Sequence, residues 1–469
     1  MYKYLWALAL WIGVAATCGA VETRPVERDL KNEWRIQFHV IGEQITSPRF
    51  PYADRAYNPH VLIQDSDRHP VDVVLRRTRA LLDDLAGRAE GLPVAECRRR
   101  LDALEEQADE LPPLHGGIPA LKGGVVGKND RDNAQPPTKA GTMDDAVYEP
   151  YKAVFEEACR LNREVSLANP LLDFDRLTFV KRHPPRVGHM CDQWFGMAQD
   201  PGGGLYVLDD PTGESPRLTD LTAGVPVSKG RLAGQELHQG VFACPEVSCD
   251  GETIWFSYSE STRAFSERWE EAFKAGRASP WGNDLFNEEF FRTRDDSFHL
   301  MKINADGTGL VQLTDGAEDD HSPCELPNGR IAFVSTRRGG EGRCHPRPCP
   351  SYVLHTMLPD GSDIQPLSYH ELNEWTPRVN NDGDIVYSRW DYVDRKFSDG
   401  QHPWIMKPDG RMVRALYGNY ENEFSRGKVQ EDLRQVPDSP LYVGVIHSHH
   451  CSAYGGLVIY DSTRPDDPE

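Results

Sequence analysis

Short apolar strands alternate with Asp-Gly and Asn-Gly turns through the second half of the chain. Three copies of one unit lie at 299–314, 352–367 and 404–410, and a related unit lies at 322–335 and 376–388. Asp-Gly and Asn-Gly suit tight turns, because the centre of such a turn needs positive φ. Two hairpins per unit, recurring every few tens of residues, predict the four-stranded blades of a β-propeller.

The repeat predicts a mainly β fold of five blades. They are expected at 176–220, 242–316, 321–369, 375–418 and 432–462. Strand-like pieces within 33–65 could complete a sixth blade, since the edges of a sheet ring must be closed or covered. The alternative is an incomplete ring, and the pattern does not decide between them.

A helical segment is predicted ahead of the blades. One stripe of apolar residues at helical spacing runs from Val74 to Leu85 and another from Cys97 to Leu111. A Gly-Leu-Pro sequence at 91–93 separates them, so a helical hairpin packed outside the propeller is expected. A linker rich in Pro and Gly follows at 112–143, and then a helix at 145–166.

The first residues have the form of an export signal. Lys3 precedes an apolar stretch from Leu5 to Val14, and small residues up to Ala20 offer a cleavage site. We therefore expect a periplasmic or secreted protein, with lipidation of Cys18 as a less favoured alternative. No other segment reaches transmembrane length. The domains predicted are a signal peptide at 1–20, strands, helical hairpin and linker at 21–143, and a helix followed by the propeller at 144–469.

Composition narrows the range of partners. The 469 residues carry a net charge of −21, which argues against nucleic acid because phosphate binding needs a basic surface. The 40 Gly and 35 Pro favour a β protein rich in turns.

Four stretches together resemble a known family. They are VKRHPPRVGHMCDQWFG (180–196), PGGGLYVLDD (201–210), LPDGSDIQPLSYHELNEWTPRVNNDGDIVYSRWDYVDR (358–395) and HSHHCSAYGGLVIYD (447–461). The set is similar to proteins related to the hydrazine synthase alpha subunit, and the repeat resembles TolB-like propeller units. The resemblance covers roughly 171–462 and implies an exported TolB-like, six-bladed type of propeller. That enzyme family uses covalently bound haem, which needs two Cys two residues apart followed by His. None of the ten Cys here has that arrangement.

The cysteines and histidines offer candidate metal ligands. His447, His449, His450 and Cys451 lie within five residues, and in a strand His447 and His449 would share one face. Zinc and iron both accept imidazole and thiolate ligands, so these residues could bind a metal ion. The alternative is that their side chains form hydrogen bonds within a blade. Cys344 and Cys349 could form a loop-closing disulfide or contribute to a zinc site.

Other groups have more than one interpretation. Cys244 and Cys249 share the spacing of Cys344 and Cys349 and could also close a small loop. His321, Cys324 and His355 come from neighbouring strands and could converge. His189, Cys191 and Asp192 could face a central channel.

These observations favour an exported propeller that acts as a binding or scaffold protein. Its ligand would be a protein partner or a small ligand at the axial face. No nucleophile elbow, P-loop or dinucleotide fingerprint occurs, so the sequence leaves open whether the protein is an enzyme. The alternative is a metal- or haem-dependent periplasmic redox protein that uses the His447 cluster.

Overall fold

The structure is a computed structural model of the chain. It describes residues 23–26, 29–46, 58–114, 145–183, 191–213, 215–237, 240–261, 267, 271, 274, 295–340, 350–392, 400–417, 428–448 and 455–463.

The helices form a cluster with its own apolar core. The α-helices whose bounds the structure describes are α1 (Leu30–Thr46), α2 (Pro70–Leu85), α3 (Val94–Asp109), α4 (Asp145–Tyr148) and α5 (Lys152–Leu167). Helix α2 packs against α1, α3 and α5, around buried side chains such as Phe38, Leu82, Leu101 and Phe155. Pro70 starts α2, where its fixed φ suits the first helical turn. The predicted helical hairpin is therefore confirmed as α2 and α3.

The prediction of strands is wrong for the described parts of 33–65, which are 33–46 and 58–65. Residues 30–46 form α1, in which Trp34, Phe38 and Ile41 are buried at helical spacing. Residues 59–61 form a single 3-10 turn. Burial on one helix face outweighs the local alternation that suggested a strand. These residues therefore supply no sixth blade.

The rest of the described chain forms five antiparallel sheets. Sheet 1 contains β1 (Arg24–Pro25), β2 (Arg176–Lys181), β3 (Gly204–Asp209) and β4 (Arg217–Asp220). Sheet 2 contains β5 (Val241–Val247), β6 (Thr253–Ser259), β7 (His299–Asn304) and β8 (Val311–Gln312). Sheet 3 contains β9 (Asp320–Glu325), β10 (Ile331–Ser335), β11 (Val353–Met357) and β12 (Gln365–Pro366). Sheet 4 contains β13 (Glu374–Val379), β14 (Ile385–Trp390), β15 (Gln401–Met406) and β16 (Arg414–Ala415). Sheet 5 contains β17 (Lys428–Gln435), β18 (Leu441–Ser448) and β19 (Gly456–Asp461).

Each sheet is a meander, except that β1 is added to the outside of sheet 1 from far away in sequence. Arg24 pairs with Leu218 of β4, and Val26 N donates to Pro216 O at 3.0 Å. The first strands of successive sheets lie side by side: β5 contacts β2 and β9, and β13 contacts β9 and β17. Apolar residues fill the spaces between sheets, and the largest cluster lies among sheets 3, 4 and 5. The prediction of a mainly β fold with five blades is confirmed, whereas closure into a six-bladed ring stays a prediction.

The turns owe their form to Asp-Gly. The carboxylate of Asp360 accepts a hydrogen bond from Ser362 N at 3.0 Å, and Gly361 takes a φ of 87°. The same arrangement recurs at Asp306 with Gly307 and at Asp409 with Gly410. Within each Asp-Gly pair the positive φ falls on the Gly, which has no Cβ to oppose it. A second residue two positions further along each turn also has positive φ, and in two of the three turns it is not Gly.

Candidate functional site

Four first strands share a bulge at the same relative position. In β5, β9, β13 and β17 the register shifts so that two residues oppose one on the neighbouring strand. The first bulged residue in each has positive φ, although none is Gly: Cys244 (49°), Ser322 (53°), Thr376 (44°) and Asp432 (52°). Such φ values cost energy in residues with a Cβ, so local contacts must hold them. One such contact joins two bulges, because Thr376 Oγ1 accepts a hydrogen bond from Asp432 N at 2.9 Å.

The bulges bring charged side chains from three sheets together. Glu246 and Arg378 each lie two residues beyond a bulged position, as does Arg434. Arg434 Nη2 lies 2.8 Å from Glu246 Oε2, although the two residues are 188 positions apart. Arg378 Nη2 lies 2.8 Å from Asp432 Oδ1, and its Nη1 lies 3.8 Å from Glu246 Oε2. We call Glu246, Arg378, Asp432 and Arg434 the charged mouth.

Exposure differs within the charged mouth. Arg378 is buried, whereas the side chains of Asp432 and Arg434 are 45% and 54% exposed. Burial opposes the charge on Asp432, but Arg378 and Arg434 outweigh it and lower the pKa of the Asp432 carboxyl. Burial also opposes the charge on Arg378, yet Asp432 and Glu246 raise the pKa of its guanidinium. Asp432 and Arg378 therefore both stay charged at neutral pH.

Two thiols lie close to the charged mouth. Ser322 Oγ donates a hydrogen bond to Cys244 Sγ at 3.5 Å, and Cys324 is buried on the same strand as Ser322. Burial raises the pKa of both thiols, that of Cys324 to about 12. Both thiols are therefore protonated at neutral pH, which makes them poor nucleophiles.

A segment at 191–199 packs against the starts of the first strands. Trp194 stacks on His321 of β9 with ring centroids 5.2 Å apart. Gly196 N donates to Asp319 Oδ1 at 2.9 Å, and Asp319 directly precedes β9. Gly196 leaves no room for a side chain, because an added Cβ would lie 2.3 Å from Asp296 O. We call residues 191–199 the plug.

The plug and the charged mouth lie at different ends of the first strands. Asn373, which directly precedes β13, donates from Nδ2 to Cys191 Sγ in the plug at 3.1 Å. Glu246, Arg378 and Arg434 are each the penultimate residue of their strands. Among the described residues, apolar side chains of the plug therefore pack over the starts of the first strands, whereas the charged side chains of the mouth lie near the ends of those strands.

The predicted ligand His447 lies on β18, buried beside Glu431 of β17. Its Nε2 is 3.7 Å from Glu431 Oε1. Burial raises the pKa of the Glu431 carboxyl, while His447 and the indole of Trp194 act in the opposite direction. His449, His450, Cys451, Cys344 and Cys349 lie outside the described residues. Within the described ranges, no group of three or more His, Cys, Asp or Glu is placed to hold a metal ion.

Two further expectations about cysteine and histidine are corrected. Cys244 and Cys249 are free thiols, not a disulfide. Cys244 lies within β5, whereas Cys249 lies in the turn that follows the strand. His321, Cys324 and His355 form no common ligand group, since His321 Nδ1 contacts Ser322 Oγ and His355 Nδ1 contacts Val353 O.

Cys191 does lie in the interior. It is 3% exposed, and its carbonyl accepts a hydrogen bond from the Tyr352 hydroxyl at 3.2 Å. His189 and the side chain of Asp192 lie outside what the structure describes.

The charged mouth was missed from the sequence. The sequence pattern that could have indicated it is a tripeptide with a central Pro that recurs in the first strands: Cys244-Pro245-Glu246, Ser322-Pro323-Cys324 and Thr376-Pro377-Arg378. The tripeptides alone do not reveal the positive φ at their first position, so they do not indicate that the side chains at their third positions meet.

Five antiparallel meanders with adjoining first strands define a protein of the β-propeller class. No protein-family model matches the chain. Solved structures that it resembles include Kuenenia stuttgartiensis hydrazine synthase, at 15% identity and a TM-score of 0.43, covering 62% of this chain and 38% of that one. TolB from Acinetobacter baumannii matches at 12% identity and a TM-score of 0.30, covering 65% and 58%. Oligogalacturonate lyase from Vibrio parahaemolyticus matches at 11% identity and a TM-score of 0.30, covering 58% and 66%. This chain therefore spans less than two fifths of the hydrazine synthase chain, and the fold assignment rests on the sheets themselves.

The described part of the chain contains no helix that is both long enough and apolar enough to span a bilayer.

Proposed function

We propose that this chain is an exported β-propeller binding or scaffold protein that holds a protein partner or small ligand at its charged mouth. The observation that carries the proposal is the meeting of Glu246 and Arg434, whose strands belong to sheets 2 and 5. The side chain of Arg434 is 54% exposed, so its charge is accessible to a ligand, and the neighbouring Asp432 side chain is 45% exposed although its Oδ1 is buried. Export rests on the predicted signal peptide at 1–20.

The electrostatics favour holding a ligand over transferring protons. The pKa of Asp432 is lowered, and the pKa values of Arg378, Cys244 and Cys324 are raised. Each group thus keeps one charge state through neutral pH, whereas general acid–base catalysis works best with a pKa near the operating pH. The arrangement suits a ligand that offers charges of both signs, because two carboxylates and two guanidinium groups line the mouth.

The test is photo-crosslinking from the charged mouth. Val247 adjoins Glu246 and is 44% exposed, so a benzophenone amino acid placed there reports on the mouth. Val413, between β15 and β16 and 43% exposed, is the matched control position. In the native cell we expect a discrete adduct from position 247, none from 413, and loss of the adduct when Arg434→Glu is added. Equal adducts from both positions, or an adduct that Arg434→Glu leaves intact, would contradict the proposal.

A further inference from the structure

Sheet 5 differs from the other four sheets at its outer edge. Sheets 1 to 4 each have a fourth strand, whereas β19 is the outermost strand of sheet 5 in the described part of the chain. It pairs with β18 over six positions, from Gly456 to Asp461. The backbone groups on its other side therefore form an edge on which a further strand can add.

The other outer strands carry protection that β19 lacks. β1, β12 and β16 are two residues long and contain Pro25, Pro366 and Arg414, which remove a donor or add a charge. The edge of β8 is covered, because Gln312 N donates to Lys229 O at 3.2 Å. By contrast, 456–460 contains no charged residue. Natural proteins normally guard a long, uncharged edge strand.

Space is available beside β19. Leu457 is 55% exposed, and a Cβ built on Gly456 would meet no atom of the described residues within 4 Å. Val458 and Tyr460 pack into the cluster between sheets 4 and 5, whereas Leu457 and Ile459 alternate with them and share the other face. An added strand would therefore find apolar neighbours on both faces.

Sheet 1 shows that a blade of this protein takes its fourth strand from outside its own meander. Strand β1 comes from residues 24 and 25, yet it pairs with 217 and 218. Thr23 Oγ1 and Thr219 Oγ1 add a hydrogen bond of 3.1 Å.

We propose that the β19 edge binds an extended segment of a partner protein, which adds as the fourth strand of sheet 5. Main-chain hydrogen bonds supply affinity in this mode, and alternate side chains supply specificity. We expect apolar residues at alternate positions of that segment and basic residues at its ends, since the chain carries a net charge of −21 and Asp461 closes the strand. A second copy of the same chain would bring a second charge of −21, so it fits this edge less well. This site is distinct from the charged mouth.

The test uses the full chain and a fluorescent peptide of alternating threonine and valine with lysines at both ends. Its twin is N-methylated at every interior residue, so it keeps the charge and side chains but cannot pair as a strand. We expect the first peptide to bind, by fluorescence anisotropy, and the twin to bind at least about tenfold more weakly. Amide exchange within 456–461 should slow at the positions that do not pair with β18.

Two variants distinguish strand pairing at the β19 edge from non-specific electrostatic attraction between the basic peptide and the acidic chain. Leu457→Lys places a cation on the exposed edge and should weaken peptide binding about tenfold. Met412→Lys, at a position 66% exposed in the turn between β15 and β16, adds the same charge elsewhere and should leave binding unchanged. Equal binding of the twin peptide, or no effect of Leu457→Lys, would overturn the proposal. So would slow exchange of every 456–461 amide in the free chain, or a dimer that Leu457→Lys dissociates.

Discussion

At the scale of single residues, Arg378 organises the charged mouth. It is 8% exposed and lies between Asp432 and Glu246. Removing one partner of a buried ion pair is costly because the charge that remains is left uncompensated. Arg434 contacts the same two carboxylates from a half-exposed position.

We therefore expect Arg378→Met to destabilise the protein by about 3 kcal/mol, and Arg434→Met by less than about 1 kcal/mol. Both substitutions keep an unbranched side chain beside the same two carboxylates, so they differ mainly in whether the guanidinium that is removed is buried, as in Arg378, or half-exposed, as in Arg434. Urea unfolding of the two variants and the wild type measures the difference. Equal losses would show that Arg378 is not the buried centre of the mouth.

Asp319 joins the plug to the start of β9 through one carboxylate oxygen. Its Oδ1 accepts hydrogen bonds from Gly196 N and Phe298 N, both at 2.9 Å. Burial raises the pKa of Asp319 to about 7, and Asp320 and Asp296 act in the same direction, against the two hydrogen bonds. The folded state therefore holds the Asp319 proton more tightly than the unfolded state does. The stabilisation that this proton gives the folded state is fully present below about pH 4. It is lost as the pH rises through about 7.

Asp319→Asn should therefore reduce the decrease in the free energy of unfolding between pH 5 and pH 8. The amide oxygen can still accept both hydrogen bonds, and it carries no charge to bury. We expect the wild type to lose on the order of 1–3 kcal/mol more than the variant across this range. Urea unfolding at the two pH values measures the loss. Glu374, whose pKa burial also raises to about 7, contributes in the same direction and stays in both proteins. Parallel losses in the two proteins would contradict the role given to Asp319.

At the scale of elements, the turns between third and fourth strands place one residue in the left-handed region three positions after Asp. That residue is Gly309 in sheet 2, Asp363 in sheet 3 and Met412 in sheet 4, with φ of 69°, 52° and 57°. A left-handed φ costs a residue such as Met roughly 1–2 kcal/mol. Replacing that residue by Gly removes this cost but also raises the conformational entropy of the unfolded chain, so the net gain in stability is smaller.

Met412→Gly should stabilise the protein by about 0.5 kcal/mol, since Met412 is 66% exposed and gives up little packing. The reverse change, Gly309→Met, should destabilise it, because a Cβ there would lie 2.8 Å from Asn304 Nδ2. Thermal unfolding gives the sign of both effects. A loss of stability in Met412→Gly would show that the turn does not hold Met412 at positive φ.

The elements were predictable where one local signal dominates. The Asp-Gly turns and the stripes of α2 and α3 place the blades and the helical hairpin correctly. Helix α1 was not, because Trp34 to Val40 alternates locally while its burial follows a helical period. The charged mouth was not predictable either, since it depends on positive φ at Cys244, Thr376 and Asp432 and on contacts between distant strands. Of the predicted metal ligands, only His447 lies within the described residues, beside a carboxylate that the sequence did not single out.

At the scale of the whole molecule, the N-terminal segment completes sheet 1. Residues 24 and 25 pair with β4, so the described sheets include residues from both ends of the chain. Deleting residues 23–26 should expose the edge of β4 and lower the melting temperature by a few degrees, about what the loss of 1 kcal/mol produces. Differential scanning calorimetry measures the shift. An unchanged melting temperature would mean that this strand contributes nothing to the sheet.

The charged mouth depends most on the contact between Glu246 and Arg434, which are 188 positions apart in the sequence. A double-mutant cycle with Glu246→Lys and Arg434→Glu, followed by urea unfolding, tests that contact directly. Each single reversal places like charges together, and the double reversal restores an opposite pair, so we expect a coupling energy of about 1 kcal/mol in favour of the double variant. Purely additive losses would show that the two strands do not face each other, and would contradict the charged mouth.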